Sequence, residues 1–198
     1  MNTTTNTETA AGSKAWKPSR AQLIEAEGKT VSDVIEKNLE VLFCGINPGL
    51  YTAAVGHHFA RPGNRFWSTL HRAGFTPRLF SPFEEELLLE HKIGITNIVN
   101  KATAQAADLT IRELETGRKL LEKKIMETTP FTLAVLGLGA YRIAFNRPVA
   151  QIGLQKERIG TTWVWVLPNP SGLNASYQID SLIALYNELY KWVKGEKK

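Results

Sequence analysis

The chain alternates short, uninterrupted runs of apolar residues with longer segments in which apolar residues recur every three or four positions. Short apolar runs bounded by turn residues are typical of strands that are buried on both faces of a sheet. Four such runs occur, at residues 41–46, 93–99, 131–136 and 163–167. We therefore predict four strands and, because helical segments separate them, a mostly parallel sheet covered on both faces.

Helical spacing and capping residues predict the helices around these strands. Ser19 and Gln22 have the spacing of a capping box, and Pro82 stands at the first position of its helix. The predicted helices span residues 19–28, 64–73, 81–90, 110–126 and 176–193. The fold class that follows is α/β: three layers, α/β/α, around a central four-stranded sheet that is mostly parallel.

The longest predicted helix is amphipathic, and its apolar face should pack on the sheet. The residues that we expect to face inward are Ile111, Leu114, Leu121 and Ile125. At the other extreme, residues 1–18 are polar and lack periodicity, so we expect a disordered N-terminal extension. Residues 19–198 are then predicted to form a single domain that ends in a short basic tail.

Composition narrows the classes of function. The 198 residues carry a net charge of +5, which favours a polyanionic partner. No apolar stretch approaches the roughly 18 residues that cross a membrane, and the N-terminus lacks the pattern of a secretion signal. We expect a monomer in the cytoplasm, with no membrane association.

The sequence offers little support for metals or cofactors. Cys44 is the single cysteine, which excludes internal disulfides and a cysteine-ligated iron–sulfur cluster, and its place in an apolar run predicts a buried thiol. His57 and His58 are adjacent and should point to opposite sides of an extended segment. The glycines at 137 and 139 resemble a dinucleotide loop, but Arg142 stands where that fingerprint needs glycine. We therefore expect neither a metal nor a cofactor.

The most informative segment is the junction Gly45–Leu50, which directly follows the first predicted strand. Asn47 precedes Pro48, so its backbone is pushed toward extended geometry, and Gly49 lets a ligand approach the main chain closely. In open α/β sheets, ligands bind beyond the carboxyl ends of the strands. The junction is therefore a candidate active site, although an ordinary strand-ending turn explains the same residues equally well.

Other segments that follow strands carry amides, hydroxyls and an aromatic ring, but no cluster of carboxylates. A two-carboxylate acid/base mechanism and a carboxylate-rich two-metal site are therefore unsupported. From the residues alone, Phe59 is more easily read as core than as a base-stacking ring. Leu173, at the tip of a loop stiffened by two prolines, suits either a wedge between base pairs or a place in the core. Arg61 and Arg65 are candidates for phosphate contacts.

Four motifs together resemble a known family. They are Gly45–Leu50, Arg61–Trp67, Gly94–Asn97 and Asn169–Leu173, and they occur in the same order in the mismatch-specific uracil-DNA glycosylases (Mug), the bacterial relatives of eukaryotic thymine-DNA glycosylase. The likeness runs from about residue 38 to residue 190. It implies the α/β/α fold of the uracil-DNA glycosylase superfamily. It also implies excision of uracil mispaired with guanine from double-stranded DNA, with ethenocytosine and thymine as further candidate substrates.

The resemblance also implies roles for individual residues. Asn47 falls on the catalytic asparagine, which positions the attacking water. The predicted base pocket consists of Ile46, Thr52, His58, Phe59 and Asn97. The predicted wedge consists of Gly172, Leu173 and Asn174. The residues expected beside the DNA backbone are Asn169, Ser171, Arg61, Arg65 and Lys101.

Chemistry and departures from the family refine this hypothesis. An amide has no useful pKa near 7, so Asn47 can hold a water but cannot act as a general base. Relatives carry an arginine where this chain has Ala175, and an acidic residue followed by arginine where it has Asn100 and Lys101. We therefore predict a weaker grip on the duplex or slower turnover. The rival hypotheses are a catalytically silent DNA-binding module on the same fold and, more remotely, a nucleotide-dependent oxidoreductase.

Overall fold

The computed structural model describes residues 17–195, in which five strands form one mixed sheet. The strands are β1 (Val41–Gly45), β2 (Ile93–Asn97), β3 (Thr132–Leu136), β4 (Gly153–Ile159) and β5 (Thr162–Leu167), in the spatial order β2-β1-β3-β5-β4. The first four strands in this order are mutually parallel, and β4 is antiparallel to β5. The predicted α/β/α architecture is confirmed, with one strand more than expected. The predicted disordered extension lies almost entirely outside the described residues.

The additional strand, β4, lies at the edge of the sheet. Its residues alternate between partly buried and exposed, because only one face of an edge strand packs on the protein. Leu154, Lys156 and Arg158 are on the exposed face. The strand therefore contains charged residues instead of an apolar run, which is why the apolar pattern did not reveal it. A two-residue turn with Gly160 at φ +58° joins β4 to β5.

Six α-helices surround the sheet within residues 17–195. They are α1 (Arg20–Glu25), α2 (Leu50–Val55), α3 (Phe66–Arg72), α4 (Ile111–Thr128), α5 (Leu138–Ala144) and α6 (Ile179–Val193). The predicted capping box of Ser19 and Gln22 is present, and an equivalent box of Thr110 and Glu113 starts α4. The predicted helix at 81–90 is a 3₁₀ helix, Pro82–His91. The short helices α2 and α5 were not predicted, because each has too few residues for a clear period.

Alternate residues of the parallel strands pack on opposite layers. Phe43 of β1 belongs to the cluster that includes α3 and α6, whereas its neighbours Leu42 and Cys44 belong to the cluster that includes α4 and α5. Cys44 is buried as predicted. The prediction for Ile111 was wrong: its side chain is 63% exposed, and burial along α4 begins one turn later, at Leu114.

The topology brings the segments with candidate chemistry to one edge of the sheet. Because β1, β2 and β5 are parallel, the loops that follow them leave at their shared carboxyl edge. Gly45 and Asn97, the last residues of β1 and β2, are register partners. Across residues 17–195, no helix is both long and apolar enough to cross a membrane.

Candidate active site

A cleft of about 410 Å³ lies at this carboxyl edge. Eleven predicted site residues line it: Ile46, Asn47, Thr52, His58, Phe59, Arg61, Asn97, Asn169, Ser171, Leu173 and Asn174. Three predicted residues, Arg65, Lys101 and Gly172, lie outside the lining. Among residues 17–195, the lining contains no carboxylate and no lysine, and Arg61 is its only formally charged residue. The cleft is thus a largely neutral, hydrogen-bonding site.

A second cavity, of about 700 Å³, lies between α4 and the segment that follows β2. It shares Asn97 with the cleft, but Asn47 and Phe59 do not line it. Its larger volume therefore does not make it the better candidate, because the groups with candidate chemistry converge on the smaller cleft.

Asn47 is held in one orientation by three acceptors. Its Nδ2 donates to the hydroxyl oxygen of Thr103 at 2.7 Å, to the carbonyl oxygen of Lys101 at 3.0 Å and to that of Pro48 at 3.2 Å. Two of these partners are carbonyls, which only accept, so the NH₂ end of the amide must face them. Within residues 17–195, the Oδ1 of Asn47 accepts no hydrogen bond from a protein donor, which leaves it available to a water or substrate.

Thr103 strengthens this arrangement. Its hydroxyl donates to the carbonyl oxygen of Gln105 at 2.7 Å, so the hydroxyl proton is committed and a lone pair faces Asn47. The backbone N–H of Thr103 donates to the carbonyl oxygen of Pro48 at 3.2 Å, which ties the two loops together. Sequence reasoning did not assign a role to Thr103, because the contact joins segments more than fifty residues apart in the chain.

Lys101 contributes to the site through its main chain. Its carbonyl oxygen accepts from Asn47, while its Nζ lies 2.8 Å from Oε1 of Glu113. The partner lysine and the Thr110 cap hold the pKa of Glu113 at about 2. The side chain that was predicted to lie beside DNA is therefore engaged in an exposed ion pair, and its backbone helps to orient Asn47.

The inner wall of the cleft depends on the absence of a side chain at Gly45. A Cβ at this position would lie 2.5 Å from the Oδ1 of Asn97 and 3.5 Å from the Cζ of Phe59. Asn97 is buried, with 4% of its surface exposed, and it lines the cleft. Gly45 is thus a site residue that sequence reasoning placed only in a motif. A glycine that ends a strand beside an asparagine of the neighbouring strand was the available signal.

Phe59 has an unusual backbone conformation, and its ring stacks on a second aromatic ring. Its φ is +54°, a region that residues other than glycine rarely adopt and that is often found at functional sites. Its ring stacks on Phe66, with centroids 4.1 Å apart and planes at 22°. The ring is only partly buried and lines the cleft, so the core placement favoured by composition was incomplete. Phe59 lies between the core and the cleft.

The residues before Phe59 are anchored by a buried carboxylate. Oε1 of Glu85 is 2.8 Å from Nδ1 of His57, and its Oε2 accepts from the backbone N–H of His58 at 2.7 Å. The Nε2 of His58 is 2.9 Å from the carbonyl oxygen of Ser32, which requires a proton on that nitrogen. Burial lowers the pKa of His58, although the nearby Glu85 carboxylate opposes this shift. His58 is therefore neutral near pH 7, with Nδ1 left as an acceptor.

The loop after β5, residues 169–177, is built by its own side chains and is called the wedge loop below. Oδ1 of Asn169 accepts from the N–H of Ser171 at 2.9 Å, and Nδ2 of Asn174 donates to the Asn169 carbonyl at 3.0 Å. Leu173 is 72% exposed at the tip. Of the two placements considered for Leu173, the exposed one is correct. The buried alternative is excluded.

Arg65 was predicted to contact phosphate, but the protein itself uses most of its donors. The guanidinium donates to four carbonyl oxygens of the wedge loop, those of Pro170, Ser171, Asn174 and Tyr177, at 2.6 to 3.3 Å. In contrast, Arg61 is exposed, and no protein partner for its guanidinium is found in residues 17–195. Of the two arginines, Arg61 is the one that is free to meet an anion.

The remaining site predictions concern metals and departures from the family. Among the described residues, no group of three or more His, Cys, Asp or Glu side chains is arranged to hold a metal ion. Burial raises the pKa of the Cys44 thiol, which makes it unsuited to nucleophilic chemistry. Asn100 and Ala175 are both exposed, and their predicted effect on DNA binding stays a prediction.

Comparisons with known proteins identify the superfamily and the fold. The family profile described as the uracil DNA glycosylase superfamily matches residues 32–192, which include every residue of the cleft. A solution NMR structure from Methanosarcina acetivorans, described as a candidate uracil DNA glycosylase, is 18% identical to this chain. The likeness has a TM-score of 0.55 and covers 82% of this chain and 98% of that one, which supports the shared fold. The chain belongs to the uracil DNA glycosylase superfamily.

Proposed function

We propose that this protein is a monofunctional DNA glycosylase that hydrolyses the N-glycosidic bond of uracil mispaired with guanine in double-stranded DNA. The observation that carries the proposal is the orientation of Asn47. Three acceptors hold its NH₂ group, so its oxygen is presented to a cleft that Phe59 and Asn97 also line. This is an arrangement for placing a water, because the Asn47 amide has no useful pKa near 7 and cannot itself remove a proton.

The cleft can act on a base only after the base has left the duplex. Extrusion costs a few kcal/mol, and it costs less for a mismatched pair, which favours uracil opposite guanine over a Watson–Crick pair. Leu173, exposed at the tip of the wedge loop, would fill the space that the base leaves in the stack. The extruded base would stack on the ring of Phe59, which Phe66 supports from below.

The reaction then breaks the bond between C1′ of the sugar and N1 of uracil, and the bonding electrons leave with the base. We propose that departure runs ahead of water attack, through an oxocarbenium-like sugar. The amide of Asn97 and backbone N–H groups between Ile46 and Leu50 would stabilise the uracil anion. A water that donates a hydrogen bond to Asn47 Oδ1 adds through its oxygen to C1′. The proton that this water loses passes to solvent or to the departed base.

The residues that line the cleft support the proposal of monofunctional chemistry. A glycosylase that also cleaves the DNA strand needs an amine for a Schiff base. Lysine is missing from the described lining, and the nearby Lys101 ammonium is paired with Glu113 outside it. Water is then the available nucleophile, and the product is an abasic site in an intact strand.

The test is single-turnover release of uracil from a uracil:guanine duplex by the wild type and by Asn47→Ala. We expect the variant to be slower by about 100-fold or more, since it loses the group that places the nucleophile. Gln151→Ala is the control, because it deletes a side-chain amide from an exposed position outside the cleft. Full activity in Asn47→Ala would refute the assignment. No release by the wild type would favour a silent DNA-binding module.

The same assay ranks the substrates. A panel of uracil:guanine, uracil:adenine, thymine:guanine, ethenocytosine:guanine and single-stranded uracil separates preference for the mismatch from preference for the base. The pocket residue closest to this question is Thr52, which is buried and lines the cleft. We propose that its side chain limits the room for a 5-methyl group, so thymine should be the slower base.

A further inference from the structure

Three consecutive residues at the start of α3 each hold a different part of the cleft. The guanidinium of Arg65 binds the wedge loop through four carbonyl oxygens. The ring of Phe66 supports the ring of Phe59. The indole N–H of Trp67 donates to the carbonyl oxygen of His58 at 3.2 Å. One short segment thus touches both the loop that would enter the duplex and the loop that would receive the base.

We propose that Arg65, Phe66 and Trp67 form a positioning unit that fixes the distance between Leu173 and Phe59. The inference rests on the proposed function and deepens it: insertion of the wedge and stacking of the extruded base are coupled through the start of α3. Arg65 is the positioning residue for the wedge side of this unit. Phe66 and Trp67 are the positioning residues for the base side.

The bonding of Arg65 matches the shape of its side chain. A guanidinium presents five N–H donors in one plane, and four of them meet carbonyl oxygens here. The carbonyls are spread along the whole loop, from Pro170 to Tyr177. A lysine ammonium is a compact donor on a flexible stem, so it cannot bridge the same set. The loop geometry therefore depends on arginine and not merely on positive charge.

Two backbone contacts reinforce the same connection. The N–H of Arg65 donates to the carbonyl oxygen of Pro170 at 3.1 Å. Gly172 packs so closely against Gly63 that a Cβ at residue 172 would clash with the Gly63 carbonyl oxygen. The wedge loop is thus held against the turn that precedes α3, and it cannot move far without breaking several contacts at once.

The base side of the unit is anchored in the core. Phe66 is fully buried and makes edge-to-face contacts with Phe43 of β1 and with Trp67, at centroid distances of 5.5 and 5.3 Å. Such contacts give the ring a defined orientation. Phe59 stacks on Phe66, which packs on β1, so the sheet fixes the position of Phe59. Leu173 is fixed to the start of α3 through the contacts of Arg65 with the wedge loop.

Precise spacing matters for this chemistry, because a displacement of about 1 Å in a bound substrate can cost about 100-fold in rate. The wedge loop of this chain also has the small, exposed Ala175 close after Leu173. A short side chain gives the loop little further contact with a duplex. The contacts of Arg65 inside the protein therefore do more to position the wedge loop than contacts of residue 175 with the duplex.

The experiment compares Arg65→Lys with Arg72→Lys, a matched control on the same helix whose guanidinium pairs with the exposed Asp180. Amide hydrogen exchange across residues 170–177 reports on the loop without reference to activity. Single-turnover uracil release is measured with uracil opposite guanine and opposite an abasic analogue, where extrusion is easier. For Arg65→Lys we expect faster exchange, a roughly 10- to 100-fold slower release from the mismatch, and a much smaller loss on the unpaired substrate.

A second variant separates the two sides of the unit. Phe66→Leu keeps an apolar side chain under Phe59 but removes the stacked ring, so we expect release to slow on both substrates. Unchanged exchange in Arg65→Lys, or equal losses on both substrates by that variant, would overturn the proposal. If the wild type releases no uracil at all, the proposed function fails. The exchange comparison then still decides whether Arg65 holds the loop.

Discussion

The side-chain oxygen of Asn97 occupies the space that a side chain at Gly45 would need. The two residues are register partners at the carboxyl ends of β1 and β2, and a Cβ on Gly45 would lie 2.5 Å from Asn97 Oδ1. The buried amide of Asn97 thus has room because its partner on the neighbouring strand is a glycine, Gly45. The arrangement links the backbone of the sheet directly to the shape of the cleft.

Gly45→Ala should therefore reduce activity far more than stability. The added methyl group displaces the end of the Asn97 side chain, which can rotate, so we expect a change in unfolding free energy of about 1 kcal/mol or less. Uracil release should fall by roughly 10-fold or more, because the amide leaves its position. Thermal unfolding and single-turnover release measure the two effects. Gly139→Ala is the control, since a Cβ there meets no atom within 4 Å. If Gly45→Ala lowers the unfolding free energy but leaves the rate of uracil release unchanged, this view is contradicted.

Thr103→Val tests the anchoring of Asn47. Valine keeps the size of threonine but removes the acceptor at 2.7 Å from Asn47 Nδ2, so the amide gains freedom to rotate. We expect the single-turnover rate to fall by about 10- to 100-fold, with duplex affinity unchanged. Thr103→Ser retains the hydroxyl and should keep most of the rate. If valine and serine behave alike, the hydroxyl does not orient Asn47.

Arg61→Gln tests whether the exposed arginine of the cleft contacts phosphate. Loss of one phosphate contact should lower the slope of log affinity against log salt by about 0.9 and weaken binding to all duplexes alike. Titrations of a uracil:guanine and an undamaged duplex at several salt concentrations measure both quantities. Arg112→Gln, which removes an arginine beside the second cavity, is the charge-matched control. Identical salt slopes for the wild type and Arg61→Gln would exclude the contact.

His58 should make stability depend on pH on the acid side of neutrality. Burial lowers the pKa of His58 below its ordinary value of 6.5, so the unfolded chain binds a proton that the folded protein resists. Its contribution to stability is present above pH 6.5 and is lost as the pH falls below that value. We expect the melting temperature to drop between pH 7.5 and pH 5 less steeply in His58→Gln, whose amide can still donate to Ser32. If the melting temperatures of the wild type and His58→Gln change equally with pH, His58 does not take up a proton on unfolding.

The sheet was largely predictable from the sequence, because strands buried on both faces leave continuous apolar runs. The strand β4 was not, since its exposed face carries residues such as Lys156 and Arg158. The short helices α2 and α5 have too few turns for a period to stand out. Ile111 fitted the apolar face of α4 by spacing, but its position in the first turn leaves it in solvent.

Residues of the candidate site that belong to a sequence motif were predictable. Residues whose role depends on a tertiary contact were not. The Asn47 junction stands out because proline and glycine follow an apolar run. The roles of Thr103 and Gly45 depend on contacts between segments that are distant in the chain. Arg65 is the clearest case: its charge indicated an external anion, but its donors meet carbonyl oxygens of the protein.

The exposed charges of β4 have a consequence for association. An edge strand presents unpaired backbone groups that can template the addition of another strand, and charged side chains along such an edge oppose this. Lys156 and Arg158 stand on the exposed face of β4, and the guanidinium of Arg158 lies 3.2 Å from the centroid of the Trp163 ring, which it shields. The residues that hid β4 from an apolar pattern are thus the ones that protect the open edge of the sheet against aggregation.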